Sequence, residues 1–545
     1  VMVVFDKTAA LTVVPLQVGT LDEAGHVSWQ GSTSVTAMWD EANQRPRLVL
    51  DPETTPEDWQ LWPLHATDQP GLWRTELSGS VQATPLKVMG GRTEVGVPGF
   101  GGNRQTLVAL DPDSLQPVTA QWQYAGEEAG VTTDRFPDTR PGKRLTVSGG
   151  AFSPAVTLNE SNIVGNGYST FGVYDDALAA RLNDGTVTAW GYASYGGTPP
   201  AGAANHDVVQ MADTVGAFAA VNAAGQVMAW GSSGYGGSVP QDIAALTDIV
   251  SVVASWEAFT ALRATGQVMA WGNTSYGGSV PQDIAALTDI VSVTGNVYAF
   301  TALRTTGQVV AWGNTAYGGK LSDEAAALTD VVSVTGNGSA FAALRATGQI
   351  VAWGYASNGG KLSDEAAALT DVVSVTGNGY AFTALRATGQ VVAWGAAGYG
   401  GSVPQDIADL TDIVSVVASW GAFTALRVTG QIVAWGSTSY GSSVPQDIAA
   451  LTDIVSVTGN YYAFAALRAT GEVVAWGNAS WGGTIPDDIA ALLTGVRAIY
   501  ASTLSFCALT EDNTVVVWGS AYAGSMDNVP ATLQGNIAYE VAPDA

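Results

Sequence analysis

Along this chain the spacing of apolar and polar positions changes every few residues, and over most of its length the changes recur. In residues 290–330, IVSVTGNVYAFTALRTTGQVVAWGNTAYGGKLSDEAAALTD, three short runs at 290–293, 299–303 and 308–312 are rich in β-branched and aromatic residues and bounded by turn formers. That is the signature of three strands. Between the second and third runs, Thr305-Thr306-Gly307 offers a glycine where a tight turn needs positive φ, which predicts an antiparallel hairpin. A turn at Gly318 and Gly319 follows, and then either VPQDIAAL or KLSDEAAAL. The second version is alanine-rich with Ser322 placed as an N-cap, so this stretch predicts a short helix.

The dipeptide Trp-Gly marks the period. It stands at Trp190, Trp230, Trp271, Trp312, Trp353, Trp394, Trp435, Trp476 and Trp518, in steps of 40, then six of 41, then 42. A unit this small cannot bury both faces of its strands, so copies must stack on one another. The expected architecture is all-β: a β-propeller of eight or nine blades, with an open β-solenoid as the alternative. Ile290 begins its strand 19 residues after Trp271, and Ile537 lies 19 residues after Trp518. A strand at 537–541 is therefore expected to close the ring by completing a blade formed by 177–190, whereas 168–174 offers a native first strand instead. Residues 1–148 contain no copy of the repeat. Alternation at 11–18, 34–39, 72–77, 105–110 and 118–124, between Pro-, Gly- and Asp-rich turns, predicts a β-sandwich-like unit there. Residues 149–161 are expected to link it to the repeat region, 162–545, and 133–143 is the most turn-rich stretch before them.

The repeat resembles that of the regulator of chromosome condensation family. The shared pattern is read from Gly295, Tyr298, Ala302, Leu303, Gly307, Trp312, Gly313 and Gly319, with Pro281 or Pro240 in sister copies. The resemblance spans 162–545 and implies a β-propeller; it implies no particular activity, because one fold hosts many functions. The founding members are nuclear nucleotide-exchange factors seated on chromatin, a role that implies a basic surface. This chain departs from them where a histidine usually precedes the second strand, holding Glu257, Tyr298, Ser339, Tyr380, Gly421 and Tyr462 there. Its repeats are shorter than the nuclear ones and look like those of bacterial surface and secreted members, a resemblance that implies a secreted or cell-surface location.

Charge narrows the partners. Against 48 acidic residues there are 21 basic ones, a net charge of -27 that repels phosphate backbones and anionic headgroups, so nucleic acid is not an expected partner. No run nears the roughly 18 apolar residues of a membrane span, and membrane insertion is not expected. A start at Val1 rather than Met is compatible with an upstream leader. Cys507, the sole cysteine, excludes an intramolecular disulfide and, in an apolar run, reads as core. The histidines, His26, His65 and His206, fall in no motif, and no nucleotide-binding, zinc-protease or nucleophile-elbow pattern has suitable surroundings. No catalytic residue, metal or cofactor is expected. Each internal unit carries an Asp before its first strand (Asp248, Asp289, Asp330, Asp371, Asp412, Asp453) and an Arg ending its second (Arg263, Arg304, Arg345, Arg386, Arg427, Arg468). One carboxylate per copy is too few for Ca²⁺, so a ladder of salt bridges is expected. The series Phe259, Phe300, Phe341, Phe382, Phe423 and Phe464 reads, with the tryptophans, as packing between copies.

Scaffold positions repeat while a freed surface drifts, so the places where copies differ carry the functional signal. The pair before the second strand reads Trp256-Glu257, Val297-Tyr298, Gly338-Ser339, Gly379-Tyr380, Trp420-Gly421 and Tyr461-Tyr462. The turn after Trp-Gly carries Tyr235, Tyr276, Tyr317, Asn358, Tyr399, Tyr440 and Trp481. Aromatic rings on turns give contact area at low entropic cost. Trp256, Tyr298, Tyr380, Trp420, Tyr462, Tyr276, Tyr317, Tyr399, Tyr440 and Trp481 are therefore the candidate binding residues, with rings that merely cap blade edges as the plain alternative. The expected function is non-enzymatic binding of a protein or glycan through these aromatics. Self-association into a fibre or surface layer is the competing expectation.

Overall fold

The computed structural model describes residues 85–92, 106–149, 152–160, 162–170, 173–199 and 207–541, with strands at Met2–Val4, Val13–Leu21, Val27–Asp40, Arg45–Leu50, His65–Ala66 and Leu72–Arg74. From Ile163 to Gly519 the described residues form nine three-stranded antiparallel sheets, blades 1 to 9 in chain order. Blade 4 shows the plan: an inner strand Ile290–Gly295, a middle strand Ala299–Arg304 and an outer strand Val309–Gly313. The expected hairpin joins the last two, with Gly307 at φ 73° and its N–H donating to the Arg304 carbonyl at 2.9 Å. The expected helix is Asp323–Ala326, where the Ser322 side chain accepts the Ala325 N–H at 3.1 Å. The proline version forms the same turn at Gln282–Ala285, where Pro281 takes the cap position. Each helix buries one apolar residue, Ala325 or Ile284, beneath it.

The nine inner strands lie side by side around an axis, and the ring closes where Ile163–Thr170 of blade 1 meets Val496–Ala501 of blade 9. Small residues at the end of the inner strand permit the approach. A Cβ on Gly295 would meet the Ala254 carbonyl oxygen at 2.1 Å, and one on Gly336 would meet that of Gly295 at 2.5 Å. Inside each of blades 2 to 9 a phenylalanine stacks on the tryptophan, as Phe300 does on Trp312 at 5.5 Å, and blade 1 has Leu178 opposite Trp190 instead. The indole then reaches into the preceding blade: Trp312 Nε1 donates to the Gly277 carbonyl at 3.1 Å, and seven further blades repeat the bond from Trp230 to Trp518. Blade 1 completes the circle, since Trp190 Nε1 donates to the Ala523 carbonyl, at the end of the chain, at 3.2 Å. The predicted packing between copies thus has a polar clasp, buried at every blade.

A closed ring of nine blades replaces the open-solenoid alternative, and the route of closure differs from the one expected first. The segment 537–541 does not complete a blade, because Ile163–Thr170 already pairs with Val173–Arg181 and fills that place. Instead Val541 N–H donates to the Thr157 carbonyl at 2.7 Å and Asn159 N–H to that of Tyr539 at 3.0 Å. Phe152–Leu158, inside the stretch expected to be a linker, is an edge strand of a four-stranded sheet with Val131–Thr133, Ala120–Tyr124 and Leu145–Gly149. That sheet does not stand apart from the ring. Trp122, Leu145 and Leu158 share one buried core with Leu178, Trp190, Tyr500 and Tyr539. Met89 and Val108 cover Val455 of blade 8, whereas its counterparts Val250, Val291, Val332 and Val373 remain about half exposed. The docked sheet is pinned by buried Arg92, whose Nε donates to Asp138 at 2.8 Å and whose Nη2 donates to the Lys143 carbonyl at 2.7 Å.

Candidate functional site

Because the three strands of a blade alternate in direction, the loop before the middle strand and the turn after Trp-Gly emerge at the same end of the ring. A buried polar residue ties the two together. In blade 4 Asn296 Oδ1 accepts the N–H groups of Tyr298 and Ala299 at 2.8 Å, and its Nδ2 donates to the Tyr317 carbonyl at 2.7 Å. Asn337, Asn378 and Asn460 repeat the clip, and the hydroxyls of Ser255 and Ser419 make its last bond in blades 3 and 7. Buried polar groups satisfied in this way rigidify what they join. The two variable positions picked out by sequence are thereby set side by side.

The result is a surface of touching rings. Tyr298 stacks on Tyr317 at 4.3 Å and on Tyr276 of the preceding blade at 5.4 Å. Tyr380 packs on Tyr399 at 4.2 Å, Tyr399 reaches Tyr440 at 6.2 Å, and Tyr440 stacks on Tyr462, which stacks on Trp481. At the axis Trp256 of blade 3 meets Trp420 of blade 7 edge-on at 5.3 Å, so these two rings close the centre of this end. All ten residues predicted from sequence lie at this one end of the ring, nine of them on its face. Trp420 is buried, stacked on Tyr461 at 4.7 Å, which makes it part of the packing under the face rather than of its outer surface. Tyr461 was missed as a candidate although it neighbours Tyr462, and so were Tyr355 and Tyr522, the exposed rings of blades 5 and 9. The signal for the last two was an aromatic residue just after Trp-Gly: Tyr355 follows it directly, as Tyr192 does in blade 1, and Tyr522 lies three residues beyond Gly519. Burial, and then the neighbouring Tyr380, Tyr462 and Tyr399, pushes the Tyr440 phenol up to about 12.

The opposite end carries the salt-bridge ladder. Each Asp–Arg pair from Asp248–Arg263 to Asp453–Arg468 closes at 2.9–3.0 Å, and Arg Nη1 also bonds a Gln in five of these blades. The carboxylates are occupied within their own blades. Among the described residues no group of three or more His, Cys, Asp or Glu is placed to hold a metal. His26 and His206 lie outside the described residues, and His65 is described only as part of a short strand. Cys507 is fully buried, and burial raises its thiol.

Two buried carboxylates mark the seam. Asp176 of blade 1 accepts from the hydroxyls of Ser502, Ser505 (2.7 Å) and Ser520 and from the Ala523 N–H at 3.2 Å, joining the first blade to the last. Its carboxyl is raised by burial and lowered, by less, by the serine hydrogen bonds. Asp213 of blade 2 is buried with no hydrogen-bond partner for either oxygen among the described residues, and desolvation raises it well above the usual carboxylate range.

No family model matches the chain, and no curated protein matches it. Among solved structures it is similar to the ectodomain of the Physcomitrella patens receptor kinase CR4 (TM-score 0.34, 19% identity, 50% of this chain and 73% of that one). It is similar as well to the CRINKLY WD40 ectodomain of the Arabidopsis thaliana receptor kinase ACR4 (TM-score 0.34, 17% identity, 51% of this chain and 94% of that one). A third is Prp20p from Saccharomyces cerevisiae, described with its binding to Gsp1p and histones (TM-score 0.32, 17% identity, 51% of this chain and 74% of that one). The propeller itself is established by the blade order and the seam of this chain.

Proposed function

We propose that this chain is a binding protein, of a bacterial secreted or cell-surface kind, that holds a protein or glycan ligand on the aromatic end of its propeller. One observation carries the reading: rings from blades 3, 4, 6, 7 and 8 are clipped into one face, to which blade 5 adds only Tyr355, beside Tyr317. Scaffolding alone is served by the buried Phe–Trp pairs, which every blade from 2 to 9 already has. The surface rings are a second aromatic layer, and pre-organised Tyr and Trp side chains bind at little entropic cost.

The test is binding of the full chain to arrays of glycans and of proteins, repeated with Tyr298→Glu/Tyr462→Glu. Blade 3 carries Glu257 at this position, so the substitution suits the scaffold. A ligand retained by wild type and by the opposite-end variant Arg304→Ala, but lost by the double glutamate, is the expected result. Equal binding by all three proteins would remove the aromatic face from the account.

A further inference from the structure

The aromatic face is interrupted at one blade, and the interruption has the chemistry of a subsite. Around this end each inner-loop position lies between two turn positions, its own and that of the preceding blade: a Cβ on Gly421 would touch both Tyr399 and Tyr440, and one on Gly216 both Tyr195 and Tyr235. Read in this order through blades 4 to 6, the face runs Tyr298, Tyr317, Ser339, Asn358, Tyr380, Tyr399. Blades 4 and 6 each fill their two places with a packed tyrosine pair, at 4.3 and 4.2 Å. Blade 5 has the same backbone plan and the same clip, with Asn337 Nδ2 donating to the Asn358 carbonyl at 2.6 Å and Asn337 Oδ1 accepting the Ser339 N–H at 2.8 Å. It lacks both rings.

What stands in their place is polar and oriented. Asn358 Nδ2 donates to Ser339 Oγ at 3.2 Å, which fixes the amide and leaves its second N–H and its carbonyl oxygen for a ligand. Tyr355, 46% exposed, stands on the same turn as Asn358 and packs on Tyr317 at 5.7 Å, so its ring lines that side of the gap. We infer that the gap in blade 5 is a saccharide-binding subsite that takes one uncharged pyranose between Tyr355, backed by Tyr317, and the Tyr380 side, with its hydroxyls on Asn358. A pyranose offers an apolar C–H face to an aromatic ring and adjacent hydroxyls that both donate and accept, which a side-chain amide answers with a donor and an acceptor. No charged side chain belongs to the walls or floor just named, and the net charge of -27 works against polyanionic chains.

This inference rests on the aromatic-face reading and sharpens it, and the sister blades supply its test. Ser339→Tyr/Tyr355→Asn/Asn358→Tyr gives blade 5 the residues of blade 4, which holds Asn314 where blade 5 holds Tyr355, on a backbone that already accepts them. The probes are neutral oligosaccharides on an array, followed by calorimetry with the tightest binder. The filled variant should keep the wild-type melting temperature and lose affinity by about tenfold or more. If wild type retains no neutral saccharide, retains only acidic ones, or binds equally well when filled, the subsite is refuted. If the filled variant binds normally while Tyr298→Glu/Tyr462→Glu does not, the face reading stands and the gap falls; if neither variant changes binding, both fall.

Discussion

Replacing Asp213 with alanine is expected to stabilise the protein. Asp213 pairs with Phe218 as Gly295 pairs with Phe300, at a position where the other blades hold Gly165, Ala254, Gly295, Gly336, Gly377, Ala418, Gly459 and Ala501. The neighbouring inner strand explains the preference for small residues. Asp213 is 4% exposed and neither oxygen has a hydrogen-bond partner among the described residues. An uncompensated buried polar group costs about 1–3 kcal/mol in proteins, and alanine already fits this place in three other blades, so the gain should be about 1–2 kcal/mol at neutral pH. The sign with pH follows from desolvation, which raises the folded-state carboxyl well above 3.8. Between 3.8 and the folded value, the native chain holds the proton that the unfolded chain releases. The contribution of Asp213 to wild-type stability is therefore fullest below pH 3.8 and is lost as pH rises through the folded value. The advantage of Asp213→Ala should grow from acid towards neutral pH in paired urea-unfolding curves. A less stable variant at neutral pH, or an advantage that shrinks as pH rises, refutes the reasoning.

At the seam, Asp176→Ala strips the acceptor from three serine hydroxyls and one backbone N–H; with Ser505 still able to reach Ser520, the loss should be about 2–4 kcal/mol by calorimetry, and Asp176→Asn should lose less. Trp312→Phe keeps a stacking ring but orphans the buried Gly277 carbonyl and leaves a void, for about 1–3 kcal/mol in chemical unfolding. Arg304→Ala breaks one partly exposed ladder pair and should cost no more than about 1 kcal/mol. Tyr440, pushed from 10.0 up to about 12, should stay neutral well past the bulk tyrosines in an ultraviolet phenolate titration; because the folded chain keeps that proton more tightly, the stability it contributes is present below pH 10 and lost as pH rises through 12.

The blades were legible in the sequence because duplication repeats the local signals: the hairpin glycine, as at Gly307, and the stacked pair, as at Phe300 and Trp312, each in eight blades, and the serine helix cap, as at Ser322, in two. Ring or spiral was not, because closure depends on how tightly inner strands approach and on partners far apart in sequence. Asp176 and Ser520 are 344 positions apart, and no other blade carries an aspartate at the place of Asp176. The end segment misled for a related reason: its 19-residue spacing from Trp518 matched an inner strand, but the place was already taken by Ile163–Thr170. The aromatic face was legible as a list of varying positions. Its connectedness was not, since Trp256 and Trp420 meet only once the ring brings blades 3 and 7 together across the axis. That same meeting turned Trp420 from an expected contact residue into packing.

The closed ring is tested most directly by hydrogen exchange of tryptophan indole groups, with Trp190→Phe assigning one resonance. Nine indole N–H groups donate to carbonyls of the preceding blade, Trp190 to Ala523 and the other eight to glycines, and the account predicts that Trp190 is protected as strongly as Trp312 or Trp394. An indole at Trp190 that exchanges freely while the internal ones stay protected would mean that blades 1 and 9 do not meet, and the nine-bladed ring would be wrong.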